Sequence, residues 1–562
     1  MELEQQAKAQ AIEQEQLEKK LEEKLYSRNF TKFGLDMNPV VSITAGLIIL
    51  LLSIYAFLNL EQANIQFNNV KSFIVTNADW VFILSSNFFI IVALYLAFSR
   101  LGRVRIGGVH AEPEFSNFAW YSMLISAGMG IGLMFWAVGE PLSHFNGNPP
   151  IFLSEQDSFT AMAATFFHWG LHPWGIYALI SLALAYFAYN KKLPLSLRSV
   201  FYPIFKDKVF GLLGDFIDIL AVLSCLFGLA TSLGLGVRQI NGGVSFLFPN
   251  IPNNTIIQVI LIAVITAAAT VSVVTGIDKG VQFLSKMNIR IAFVFMVAIL
   301  LLGPTAYIIR LFSNSVGLYF NDFISSSFFL ATSSGDAKDF QSGWSIFYLA
   351  WWISWSPFVG MFIARISKGR SIKEFILAVL IIPSLLSFVW LSVFGGTAMH
   401  VDQMTNGALN TVVSASVEEG LFEMINLLHI PYFGQVIKTL LSLIGTILVI
   451  SFFVTSSDSG SLVVDNITSG GKLDSPVPQR VFWACMEGFI AAVLLLIGGA
   501  TALDTLQTAV IATGLPFAIV LTIMTFLLLG SLQQTYKKQK RIRDVKQFRR
   551  LRKLTKRDSI KK

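Results

Sequence analysis

Four short stretches of this sequence carry side chains and backbone suited to binding rather than packing alone. Gly128-Met129-Gly130-Ile131-Gly132 puts three helix-weakening residues inside an apolar run, each costing about 1 kcal/mol relative to Ala. Such a run can unwind, freeing carbonyls for a cation and amides for a carboxylate; close helix approach through small residues is the competing role. Trp351, Trp352 and Trp355 precede Ser356, Pro357 and Gly360, with Trp351 and Trp355 on one helix face and Trp352 about 100° round. Trp169, Trp174 and Tyr177 form a second aromatic set around Pro173. Tryptophans in apolar helices commonly sit in the interfacial belt. Several aromatic faces around a quaternary ammonium instead form a cage worth roughly 0.5 to 2 kcal/mol per face, with no carboxylate required. Phe452-Phe453-Val454-Thr455-Ser456-Ser457-Asp458-Ser459 concentrates hydroxyls. These suit a hard cation such as sodium, although helix hydroxyls also bond their own backbone.

Charged groups inside apolar runs are costly and are functional candidates by default, which singles out Glu140 and Arg238. A structural pair is the alternative for each. His168 and His172 have the spacing of a metal pair, but no third ligand or general-base Glu of the zinc-protease kind accompanies them. No nucleophile and base pair and no phosphate-binding loop stand out, which argues against an enzyme.

The elements that hold these residues are membrane helices. The chain has 562 residues, 54% hydrophobic and 13% aromatic, with a mean hydropathy of +0.63. A hydrocarbon core of roughly 30 Å takes about 20 apolar residues as a helix. Such runs recur from residue 40 to 530 and predict twelve spans, centred near 50, 90, 128, 174, 228, 265, 299, 354, 384, 446, 490 and 517. With the N-terminus inside, the internal loops hold about sixteen basic residues, including Arg100, Arg103, Lys191, Lys192, Arg365 and Lys368, against about four outside. That asymmetry predicts a multi-pass protein of the cell membrane with both termini cytoplasmic.

Residues 1–38 read as a charged cytoplasmic tail without the apolar core of a secretory signal, residues 39–535 as the twelve-span membrane domain, and residues 536–562 as a basic cytoplasmic tail. Cys225 and Cys485 both fall in predicted spans, so no disulfide framework is expected. The net charge of +8 is uneven, because residues 536–562 hold fourteen Lys or Arg against Asp544 and Asp558. Such a tail suits anionic lipid, at about 1 kcal/mol per basic residue near the surface, and not nucleic acid. A topology anchor is the plainer role for it.

Ser126 through Glu140-Pro141, His168-Trp169-Gly170-Leu171-His172-Pro173-Trp174, and Trp351 through Arg370 together resemble the betaine/choline/carnitine transporter family, over about residues 40 to 530. The stretch Trp351-Trp352-Ile353-Ser354-Trp355-Ser356-Pro357-Phe358-Val359-Gly360 is similar to that family's signature. The resemblance implies an all-α integral membrane fold of twelve helices with a LeuT-like five-plus-five inverted repeat, a homotrimer, and secondary transport by alternating access. It implies that Trp169, Trp174, Tyr177, Trp351, Trp352 and Trp355 form the substrate cage and its access path, with Gly128, Gly130 and Gly132 facing a substrate carboxylate. It also implies one sodium ion held by Ser126 and Met129 through carbonyls and by Thr455 and Ser456 through hydroxyls, with Phe452 nearby.

Choline-transporting relatives tend to carry an acidic residue at the last position of the glycine motif, so Gly132 points to a zwitterion such as glycine betaine. Sodium-coupled betaine relatives have threonines where this chain has Cys225 and Leu229. Leucine cannot ligate sodium, which removes the second sodium site from what the resemblance carries over; Phe358 remains, and Arg238 could stand in for an ion electrostatically. The expectation is sodium-coupled import of glycine betaine for osmoprotection, with no other cofactor and with an osmosensing C-terminal tail. The alternatives are a proton-coupled or sodium-independent choline or carnitine carrier of the same family and, from another class, a channel with hydroxyl or charged rings lining its pore.

Overall fold

The structure is a computed structural model. It describes residues 19–560 apart from 22, 129, 148, 153–156, 276–277 and 473–474, with backbone alone at 272–273, 275, 278–285, 500 and 542–560. The helices that matter here are α1 (Pro39–Leu58), α2 (Leu60–Asn77), α3 (Asp79–Phe98), α4 (Asn117–Gly128), α5 (Ile131–Gly147), α6 (Ser158–Trp169), α7 (Leu171–Ala185), α8 (Leu212–Leu247), α9 (Thr255–Thr275), α10 (Asp278–Leu302), α11 (Thr305–Asn321), α12 (Phe347–Ile366), α13 (Ile372–Met404), α14 (Gly434–Thr468), α15 (Val477–Gly498) and α16 (Ala502–Ile560).

Each of the twelve expected span centres falls inside one of these helices. Among the described residues, nine helices are long and apolar enough to cross a membrane, and up to eleven if each of two bent pairs counts as one span; Thr255–Val271 is a shorter apolar helix. The protein is therefore a multi-pass membrane protein. Helices suit this because every backbone group is satisfied within the segment, as hydrocarbon requires.

At two of the places where the sequence weakens a helix, the helix breaks. Between α4 and α5 the chain bends by 60° at the glycine run. Between α6 and α7 the break falls at Gly170, where a Cβ would lie 2.6 Å from the Phe166 carbonyl oxygen and 2.8 Å from Phe388. Pro173 then occupies the first turn of α7, where its missing N–H leaves no bond unmade. These two breaks bring the aromatic residues of α6 and α7 against α12, which packs on α7, α8 and α16.

Two helices between spans were not expected. α2 follows α1 directly, and α11 turns 108° away from the segment Lys286–Leu302. α11 buries Ile308, Leu311, Ser315 and Tyr319 along one face, the stripe of an amphipathic helix lying on a packed surface. The last helix also runs past the expected boundary at residue 535, so the backbone of the basic tail continues α16. At the other end, the described part of the N-terminal tail is docked. Leu25 is buried, and Arg28 Nη1 lies 2.8 Å from Asp215 Oδ2.

Candidate functional site

Five of the six expected aromatic residues meet in one cluster where α6, α7 and α12 converge. The rings of Trp351 and Trp352 stack with centroids 5.0 Å apart and 11° between planes. Trp169 stands edge-on to Trp352 at 4.9 Å and to Trp351 at 6.4 Å. Tyr177 closes a second side, 6.4 Å from Trp352 and 5.4 Å from Trp174. Trp169, Trp174, Trp351 and Trp352 are each no more than 7% exposed, so they belong to the interior and not to an interfacial belt.

The indoles are pinned by hydrogen bonds: Trp351 Nε1 donates to Ser232 Oγ at 3.2 Å and Trp352 Nε1 to the His168 carbonyl at 2.9 Å. Trp355 points elsewhere. Its ring meets Phe358 at 5.2 Å, and a Cβ on Gly228 of α8 would touch it. Trp355, Phe358, Phe362 and Arg365 are the more accessible positions of an otherwise buried α12, and their spacing puts them on one helix face. That face descends to a cavity of about 990 Å³, whose lining includes Phe362, Arg365, Tyr189, Asp36 and Lys472. The cavity lies on the side of the basic loops.

The three glycines divide between the two roles open to them. At Gly132 a Cβ would come within 2.8 Å of Trp351 and 3.0 Å of Trp169, and at Gly128 within 2.9 Å of Trp174. Both positions need glycine so that the broken span can approach the aromatic cluster. At Gly130 a Cβ would meet nothing within 4 Å, so its absence leaves open space at the helix break.

On the opposite side from the cavity, the cluster is capped by Glu140, which is fully buried. Its Oε1 faces His168 Nδ1 at 2.6 Å and His144 Nε2 at 3.3 Å. Its Oε2 accepts from Trp169 Nε1 at 2.7 Å and from the Tyr348 hydroxyl. A carboxylate, which only accepts, suits four such neighbours. The ligand-type atoms of Glu140, His144 and His168 lie within 4.8 Å of one another, and these hydrogen bonds occupy them. The spacing of His168 and His172 does not bring those two together: His172 Nε2 pairs with Asn87 Oδ1 at 3.2 Å. His144 and Tyr348 were missed in the sequence, although His144 follows Glu140 by one turn and Tyr348 precedes Trp352 by one.

Of the expected sodium ligands, Met129 lies outside the described residues and Ser126 is half-buried on α4. Phe452 is buried on α14, and Ser456 is half-buried. Thr455 Oγ1 donates to the carbonyls of Ser451 and Phe452 at 3.0 and 3.2 Å, so its hydrogen is spent on its own helix while its oxygen can still accept a cation. Arg238 does not take the place of an ion. It forms a two-bond pair with Glu418, at 3.1 and 2.9 Å, which neutralises it.

Comparison with known proteins agrees with this architecture. The chain is 46% identical over 515 residues to a glycine betaine/proline/choline/ectoine transporter of Vibrio parahaemolyticus, covering 90% of this chain and 89% of that one. It is 47% identical over 511 residues to glycine betaine transporter 1 of the same organism, covering 89% and 95%. A third relative there, a glycine betaine/proline/choline transporter, is 44% identical over 518 residues, covering 89% and 91%. These relatives are transporters and not enzymes. The profile described as the betaine/carnitine/choline family transporter matches residues 40–537, and with that match over most of its length the chain belongs to the betaine/carnitine/choline transporter family.

Proposed function

We propose that this protein imports glycine betaine by sodium-coupled alternating access across the cell membrane, as part of osmoprotection. The observation that carries the reading is the buried cluster of Trp169, Trp174, Tyr177, Trp351 and Trp352 beside an open space at Gly130. A trimethylammonium group is satisfied by aromatic faces alone, and the broken span at Gly128 to Gly132 supplies backbone amides for the carboxylate. Gly132 puts no negative charge beside that carboxylate, which favours a zwitterion over choline.

In this reading the chain crosses the membrane twelve times, with two inverted five-span repeats and both termini cytoplasmic. Glu140 and its four neighbours close the outer side of the cage, and the lane from Trp355 through Phe362 leads to the cytoplasmic cavity, the arrangement an inward-facing state would require. One sodium ion binds between the broken span and α14, through Ser126, Met129, Thr455 and Ser456, with Phe452 alongside. The protein assembles as a homotrimer, and its basic tail rests on anionic lipid.

The relatives named for several substrates make selectivity the first property to measure. Uptake of labelled glycine betaine should be displaced by unlabelled betaine at lower concentration than by choline, proline or ectoine. Stronger displacement by choline would favour the choline or carnitine carrier instead.

A further inference from the structure

Halfway along α15, the side chain of Glu487 is fully buried. Among the described residues no basic side chain pairs with it. Its Oε2 lies 3.4 Å from the Ser457 hydroxyl of α14, and its Oε1 has no hydrogen-bond partner. The charged group that acts on it most closely is Asp458, of the same sign. The groups that α14, α8 and α9 present there carry no positive charge: Ser457 and Asp458 from α14, Leu229 from α8 across Gly460, and Thr266 from α9 against the adjoining Gly488.

The place is as telling as the group. A Cβ on Gly460 of α14 would lie 2.6 Å from Leu229 Cδ1 and 3.3 Å from Glu487 Oε1, so α8, α14 and α15 meet at that glycine with Leu229 and Glu487 on either side. Cys225 lies one turn before Leu229 on the same helix. Cys225 and Leu229 are the residues that lack the oxygens for a second sodium ion. A lone carboxylate buried in such a place costs several kcal/mol unless a cation or a proton neutralises it. The Ser457 hydroxyl is the hydrogen-bond partner the structure gives this carboxyl, where sodium needs several oxygens and a proton needs only the carboxyl itself.

We propose that Glu487 is a proton-binding site at the α8, α14 and α15 junction, loaded from the outer side and emptied to the cytoplasm in each transport cycle. The inference rests on the transport reading above and adds a second coupling ion to it. The carboxyl gains one proton on loading and loses that same proton on release, with no other bond made or broken.

The test uses the full-length protein in proteoliposomes with equal sodium on both sides, an inward proton gradient and clamped membrane potential. Wild type should accumulate labelled glycine betaine and acidify the lumen as it does so. Glu487→Gln, which keeps the shape but cannot exchange a proton, should lose both effects while retaining sodium-driven uptake and the tryptophan-fluorescence response to betaine. Glu487→Asp should retain proton-driven uptake, which keeps the proposal testable if the glutamine variant does not fold. Wild-type uptake under a sodium gradient without any proton-driven component would overturn the proposal. So would a proton-driven component that survives in Glu487→Gln. Absence of wild-type uptake under both gradients would instead overturn the transport reading, and the inference with it.

Discussion

At the scale of single residues, the proposed cage depends on aromatic faces that their neighbours hold in place. Trp352 stacks on Trp351, meets Trp169 edge-on and is fixed by the His168 carbonyl. Trp352→Ala removes one cation-π face, worth roughly 0.5 to 2 kcal/mol, and is expected to weaken betaine binding by about 2- to 30-fold in a fluorescence titration; wild-type affinity would remove Trp352 from the cage. The glycines make a sharper comparison. Gly132→Ala forces a methyl against Trp351 and Trp169, whereas Gly130→Ala meets open space. The first is expected to cost on the order of 1 to 3 kcal/mol in stability through overpacking, and the second to stay within about 0.5 kcal/mol of wild type, both read from thermal unfolding in detergent. Equal losses would mean that backbone freedom, and not space, is what the motif provides. The aromatic residues were legible in the sequence because their types state their chemistry. The Glu140 network was only half legible: Glu140 stood out as a buried charge, and His144 was passed over although it sits one turn on along the same helix, while His168 and Tyr348 become partners only when α5, α6 and α12 converge.

Among the elements, long apolar runs were the easiest to read, and all twelve expected centres coincide with helices. α2 and α11 escaped notice for a physical reason: neither offers about 20 consecutive apolar residues, and the apolar face of α11 appears only as spaced positions from Ile308 to Tyr319. The C-terminal tail was legible as charge but not as structure. Its backbone prolongs α16, and the helix is anchored through Thr535, which hydrogen-bonds the Tyr186 hydroxyl and Lys191. Burial, and then the nearby charge of Lys538, hold the Lys191 ammonium below the usual lysine range, so a basic residue of the tail sits beside the end of the fourth expected span. Removal of residues 540–562 is therefore expected to leave basal betaine uptake intact while abolishing its activation by high osmolality. Activation that persists in the truncated protein would reduce the tail to a topology anchor.

For the molecule as a whole, one side of the aromatic cluster is sealed by Glu140 and its neighbours, while α12 leads from Trp355 to a cavity on the basic-loop side. That asymmetry is what a carrier needs, because only one gate is open at a time, and it is not what a continuously open channel would have. No sequence pattern could reveal that asymmetry, since it follows from how whole helices pack against each other. The central claim is that such a cycle is driven by sodium bound beside the broken span. It is tested most directly by uptake of labelled glycine betaine into proteoliposomes under an imposed inward sodium gradient, at equal pH on both sides and clamped membrane potential. Accumulation above the external concentration that collapses when the sodium gradient is dissipated is the predicted result. Betaine uptake indifferent to the sodium gradient would contradict the account.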